Sequence, residues 1–158
     1  MTRALATLER AGIAARIPHS GPMCLLQRLL SWSTDDIVCE TVNQSDPLHP
    51  LRLAGRLSAA CALEYAGQAM ALHGALCSAD GDSPRPGFLA SARALRLHAT
   101  HLDDVPGPLR VHARRLAGSG MQAMYGFSVH DARDRLLVDG RATVVFDAPL
   151  RAPQEGGA

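Results

Sequence analysis

Glu64 is the one formally charged side chain in the 23 residues between Arg56 and Asp80, and a His49–Pro50 pair stands shortly before that run. The run, Leu57-Ser-Ala-Ala-Cys-Ala-Leu-Glu64-Tyr-Ala-Gly-Gln68-Ala-Met-Ala-Leu-His73-Gly-Ala-Leu-Cys-Ser-Ala79, is small and apolar on every side. A helix of this composition is expected to be buried nearly all round. A carboxylate inside it needs a partner, or it shifts its proton equilibrium. Carboxylate and imidazole together are the residue types of proton transfer, one able to give and the other to take.

The elements that must position this pair can be read from hydrophobic periodicity. Residues 2–11 suggest a short amphipathic helix leading into a turn between Pro18 and Pro22. Segments 23–33 and 36–43 read as strands, followed by a loop with Pro47, Pro50 and Gly55, and then the helix over 57–76. A loop is expected over 79–87. Segments 109–115, 122–130 and 137–146 alternate apolar and polar residues with a period of two, the pattern of an antiparallel sheet with one wet face. Segment 88–99 is a further strand of weaker pattern, and Asp131-Ala-Arg-Asp134 is a hairpin tip. One apolar helix needs cover on most sides, which a single curled sheet provides, and the side left open implies a second subunit. The expected class is α+β, one domain over 1–150 with a loose tail over 151–158.

Composition narrows the function classes. At 158 residues with 47% hydrophobic and 20% charged side chains, the chain suits one folded domain. A net charge of +1 gives no basic surplus for nucleic acid. All 16 basic residues are Arg, so guanidinium forks are available to an anionic partner, with Arg52, Arg56, Arg93 and Arg96 as candidates against a plainly solvated role. The four cysteines lie in apolar stretches without a Cys-x-x-Cys pair and read as reduced thiols. Glu64, Gln68 and His73 argue against a membrane span over 57–79, and the N-terminal charges argue against a secretory signal, so the cytoplasm is expected.

The ordered set Pro18-His-Ser-Gly-Pro-Met-Cys-Leu-Leu-Gln-Arg28, His49-Pro50 and Glu64-Tyr-Ala-Gly-Gln68-Ala resembles the 3-hydroxyacyl-[acyl-carrier-protein] dehydratases over roughly residues 16–147. The aryl-polyene branch is the nearest match, through Arg85-Pro-Gly-Phe-Leu-Ala-Ser91 and His73-Gly-Ala-Leu76. The resemblance implies a hotdog fold of about five to six strands, in a homodimer or a heterodimer with another hotdog subunit. It implies His49 as catalytic base and Glu64 as catalytic acid, contributed by different subunits, with Gln68 in support. The backbone N–H groups of Ala59 and Ala60 would polarise the thioester carbonyl. The substrate would ride on the phosphopantetheine of acyl carrier protein, with no cofactor or metal. The loop departs from the family's usual form: Pro50 follows His49 directly, and Ser58–Ala59 stand where Pro–Gly commonly opens the helix. A hydrolytic thioesterase and a non-catalytic partner subunit are the alternative readings.

The other titratable residues carry plainer expectations. A buried Glu64 should have a raised pKa suited to an acid. His73, nine residues on, points away from Glu64 and reads as structural or interfacial. His19, in a turn, and Tyr65, in the helix, read as structural, and His112 and His130 as solvated. His98 and His101 lie beside Asp103 and Asp104 but lack a tetrahedral ligand set.

Overall fold

The computed structural model describes residues 8–78 and 87–146. The elements in chain order are α1 (Arg10–Ala14), β1 (Arg28–Trp32), β2 (Asp36–Thr41), α2 (Ala62–Cys77), β3 (Gly87–Leu97), β4 (Leu109–Gly118), β5 (Gln122–His130) and β6 (Leu136–Phe146). The six strands form one antiparallel sheet in the order β1-β2-β4-β5-β6-β3. The sheet curls around α2, which gives the hotdog architecture.

Alternation explains the fit. In β2 every second residue is buried, and in β5 Ala123, Tyr125, Phe127 and Val129 point inward. These side chains meet Tyr65, Ala66, Ala69, Met70 and Leu72 of α2, where small residues let the sheet approach closely. His73 is fully buried and satisfied on both ring nitrogens. Tyr125 Oη lies 2.7 Å from Nδ1 and the Ser33 carbonyl 2.8 Å from Nε2. Because the carbonyl only accepts, Nε2 carries the proton and Tyr125 donates to Nδ1. Met70 and Leu72 belong to the core.

Two expectations change. The helix is not buried all round, since Ala60, Leu63, Glu64 and Gly67, at helical spacing, leave one stripe accessible. Residues 23–27 are not strand: Gly21–Met23 form a single 3-10 turn, and Cys24, Leu25 and Leu26 follow, buried. Their backbone groups are taken by side chains instead of a ladder, with the Leu25 N–H bound to Gln68 and the Leu25 carbonyl to Thr41 and Asn43.

The weak pattern of 88–99 also has a cause. Among the described residues β3 is an edge strand bonded only to β6, with register shifts at Leu89/Ser91 and Arg93/Arg96 and a positive φ at Ala94. Phe88, Leu89, Leu95 and Leu97 are exposed along it. Such an edge invites pairing with another chain. The 2–11 helix lies largely among residues outside the described ones, as do most of the 79–87 loop and the tail; α1 begins at Arg10.

Candidate active site

Glu64 sits in the first turn of α2, where the helix dipole favours a negative charge. Its Oε1 lies 2.9 Å from His19 Nε2 and accepts from Gln68 Nε2 at 3.1 Å. Gln68, one turn on and fully buried, also donates to the Met23 carbonyl at 2.7 Å and accepts from the Leu25 N–H at 2.8 Å. Gln68 thus fastens the 18–25 segment along the helix, while the Arg10 guanidinium holds the same segment through the carbonyls of Gly21 and Cys24. That segment delivers His19 to Glu64.

The raised pKa expected of Glu64 is not found. Its side chain is 37% exposed, and its carboxyl is held below the usual range, first by the His19 hydrogen bond, with burial opposing and Gln68 adding to the lowering. Glu64 is a carboxylate at neutral pH.

His49 is buried in a different network. The backbone N–H of Leu51 donates to its Nδ1 at 3.1 Å, and its Nε2 lies 2.8 Å from Tyr65 Oη. Since a backbone N–H can only donate, Nδ1 bears the lone pair and Nε2 the proton. Tyr65 then donates to Asn43 Oδ1 at 2.7 Å, and Asn43 Nδ2 to the Leu25 carbonyl at 3.1 Å. Burial first, and then the Arg52 charge, push the imidazole pKa down, while burial pushes the Tyr65 hydroxyl up. Within one chain the imidazole beside Glu64 is therefore His19, and the partner of His49 is Tyr65. A cleft of about 330 Å³ opens against His49, lined by Arg10, Asn43, Asp46, Leu48 and Pro50 among others.

The helix start is already engaged. Ala59 donates its N–H to the Thr100 carbonyl at 2.9 Å, and Ala60 donates to Ser58 Oγ at 3.2 Å. Of the two, only the exposed Ala60 has a partner, a serine hydroxyl, that can rotate away. Arg56 pairs with Asp103 and Asp104, and Arg96 with Asp139. Arg52 donates to the carbonyls of Gly55 and Gln44. Arg93 forms no ion pair among the described residues and lines a separate groove with Arg114 and Arg141 on the outer face of the sheet. His98 meets Asp139, His112 lies 3.4 Å from Asp36, and no set of three or more His, Cys, Asp or Glu among the described residues could hold a metal ion. No described helix is long and apolar enough to cross a membrane.

A family model for the ApeP dehydratase, ApeP-like, matches residues 11–152. The chain belongs to the ApeP-like dehydratase family. No curated protein matches it. Among solved structures, the dehydratase heterocomplex ApeI:P from Xenorhabdus doucetiae is similar at TM-score 0.78 and 20% identity, covering 87% of this chain and 91% of that one. A thioesterase from Haemophilus influenzae reaches TM-score 0.64 at 13% identity, covering 94% and 96%. AziG of S. sahachiroi reaches 0.58 at 17% identity, covering 77% and 90%. At these identities the likeness establishes the hotdog fold alone.

In this ApeP-like chain, Tyr65 is the buried core residue its place in the helix predicts, and it also orders His49, while His19, expected to be structural, meets Glu64. The signal for His19 was present, since Pro18–His19 opens the motif that carried the resemblance. Tyr65 and Asn43 gave no signal, because a buried aromatic and a loop amide are ordinary in any core. Gln68 offers a direct check of how the site is built. Gln68→Leu keeps the volume but strands the Leu25 N–H and the Met23 carbonyl, each worth about 1–3 kcal/mol when buried unpaired. Urea unfolding is expected to show a loss of about 2–4 kcal/mol. A loss within 0.5 kcal/mol, the range of ordinary surface changes, would mean that the segment is held by other contacts.

Proposed function

We propose that this chain dehydrates a 3-hydroxyacyl thioester, carried on the phosphopantetheine of acyl carrier protein, to the trans-2-enoyl thioester in aryl-polyene-type synthesis. Membership of a dehydratase family supports the reaction class. The observation that carries the reading is Glu64, the one carboxylate of α2, at the accessible start of the helix, with Oε1 held by two donors and Oε2 without a hydrogen-bond partner among the described residues.

Dehydration moves two protons. The C2 proton passes to a base, the C3–O bond breaks as its oxygen receives a proton, a C2–C3 double bond forms, and water leaves. We assign the base to His49 and the acid to Glu64, working across a subunit interface. Covering Glu64 with a second subunit would strip water from it and favour the protonated form that an acid requires. His49 must first give up the Leu51 bond, because Nε2 can accept a proton only when Nδ1 bears one. The Ala60 N–H, freed from Ser58, would steady the charge that develops on the thioester oxygen, with Ala59 and Gln68 shaping the site. The exposed apolar edge β3 and the open stripe of α2 support a dimer with a like or a second hotdog subunit. Arg93, Arg114 and Arg141 support an anionic carrier as partner. The chemistry needs no cofactor and suits the cytoplasm.

A second reading is favoured by one observation: both nitrogens of His49 are engaged within the chain, so it would serve as a non-catalytic partner of another hotdog subunit. The similar ApeI:P structure is itself a heterocomplex. The deciding experiment follows a short 2-enoyl thioester by loss of enoyl absorbance, with free thiol assayed in parallel. Absorbance lost without thiol supports the dehydratase, run in reverse. Thiol release indicates a thioesterase. A folded but silent chain that co-purifies with a second hotdog protein indicates the partner subunit.

A further inference from the structure

We propose that His19 is the positioning residue for the Glu64 carboxylate of its own chain, its Nε2–H fixing Oε1 so that Oε2 is left for the substrate. The inference rests on the dehydratase reading of Glu64 and adds to the site a residue that the His49–Glu64 pairing leaves out.

Three histidines of this chain lie within the core or against it, and they differ in how their ring nitrogens are used. His73 has Tyr125 and Ser33 on its two nitrogens, and His49 has Tyr65 and Leu51. Both rings have a partner on each nitrogen. His19 has Glu64 alone as a hydrogen-bond partner among the described residues, and its Nδ1 is buried without one. An unpartnered buried lone pair costs less than an unpartnered buried N–H, so the proton resides on Nε2 and points at the carboxylate. A ring left half satisfied is a poor structural element, and its single bond goes to the one carboxylate of α2.

The segment that carries it is built for placement. Pro18 and Pro22 stiffen it, Arg10 binds it from one side, and Gln68 binds it from the other. His19 and Gln68 therefore meet the same oxygen from two directions, and the carboxylate has one orientation in which both bonds form. The titratable groups that face Glu64 are His19 from this segment and Cys61 from the start of the helix. The Cys61 thiol is pushed up by burial, and Glu64 adds to that rise. The lowered carboxyl of Glu64 agrees with the arrangement.

The test compares His19→Ala, which removes the donor, with His19→Gln, which keeps an N–H. Two readouts are taken on the full chain: the pH profile of enoyl thioester hydration, and a 13C-carboxyl NMR titration of Glu64 that requires no turnover. In His19→Ala the Glu64 titration is expected to move up toward the ordinary carboxylate range, with the corresponding limb of the rate profile. Turnover should fall about 10²-fold, as for a misplaced catalytic group, with KM nearly unchanged. His19→Gln should restore most of both. If His19→Ala does not fold, His19→Leu fills the space without the N–H and takes its place. An unmoved Glu64 titration overturns the proposal, as does equal impairment of both variants at a wild-type pH profile. A wild type without turnover would instead count against the dehydratase reading, and the titration would still decide the role of His19.

Discussion

Glu64→Gln is expected to lower enoyl thioester hydration by about 10²–10⁴-fold, the span associated with removing a proton-transferring group. The substitution is chosen because it changes chemistry without changing shape. The amide oxygen can still accept from His19 Nε2 and Gln68 Nε2, so the 18–25 segment stays fastened to the helix. What is lost is the ability to exchange a proton at Oε2. The fall should therefore appear in kcat with KM little altered, and the melting temperature should stay close to wild type. Glu64→Ala would mix two effects, because it also releases His19 and the near end of Gln68. An E64Q variant with full activity would remove Glu64 from the reaction and place the proton transfer on other groups.

The difference between His49 and His19 shows where residue patterns inform and where they stop. A lone carboxylate in a 23-residue apolar run marks the helix and its reactive position, because charge is costly there whatever the fold. Alternation over 109–146 gives three strands close to their observed limits, since one face is core and the other solvent. The apolar run 23–27 misleads for the opposite reason. It is buried like a strand, but its hydrogen bonds go to Gln68, Thr41 and Asn43, which lie 14 or more residues away in the chain. The ionisation state of Glu64 is likewise set by a residue 45 positions earlier. No local pattern encodes such a contact. The tautomer of His49 depends on the Leu51 N–H, and that bond requires the loop's turn to be known.

The acid sensitivity of the fold follows from two buried histidines. His73 and His49 both have lowered pKa values, chiefly through burial. In the unfolded chain each would take up a proton near pH 6.5. A histidine whose folded pKa lies below its unfolded value contributes stability above the unfolded pKa, and that contribution falls away as the pH drops toward the folded pKa, because the unfolded state then binds more protons. The carboxylates held low, Glu64, Asp36, Asp103, Asp131 and Asp139, act in the same direction but in a lower window, as pH falls below their unfolded values near 4. The interval from about pH 6.5 to 4.5 thus belongs to the histidines. Each is expected to contribute a slope of up to about 1.4 kcal/mol per pH unit there, so acidification from neutrality to pH 5 should lower the urea midpoint markedly. His73→Gln should be less stable at pH 7.5, because the ring's two hydrogen bonds are disturbed, yet its stability should fall less steeply toward pH 5. Equal slopes in wild type and variant would mean that His73 takes up its proton in the folded state, which burial of the ring opposes, with Nδ1 already filled by the tyrosine hydroxyl.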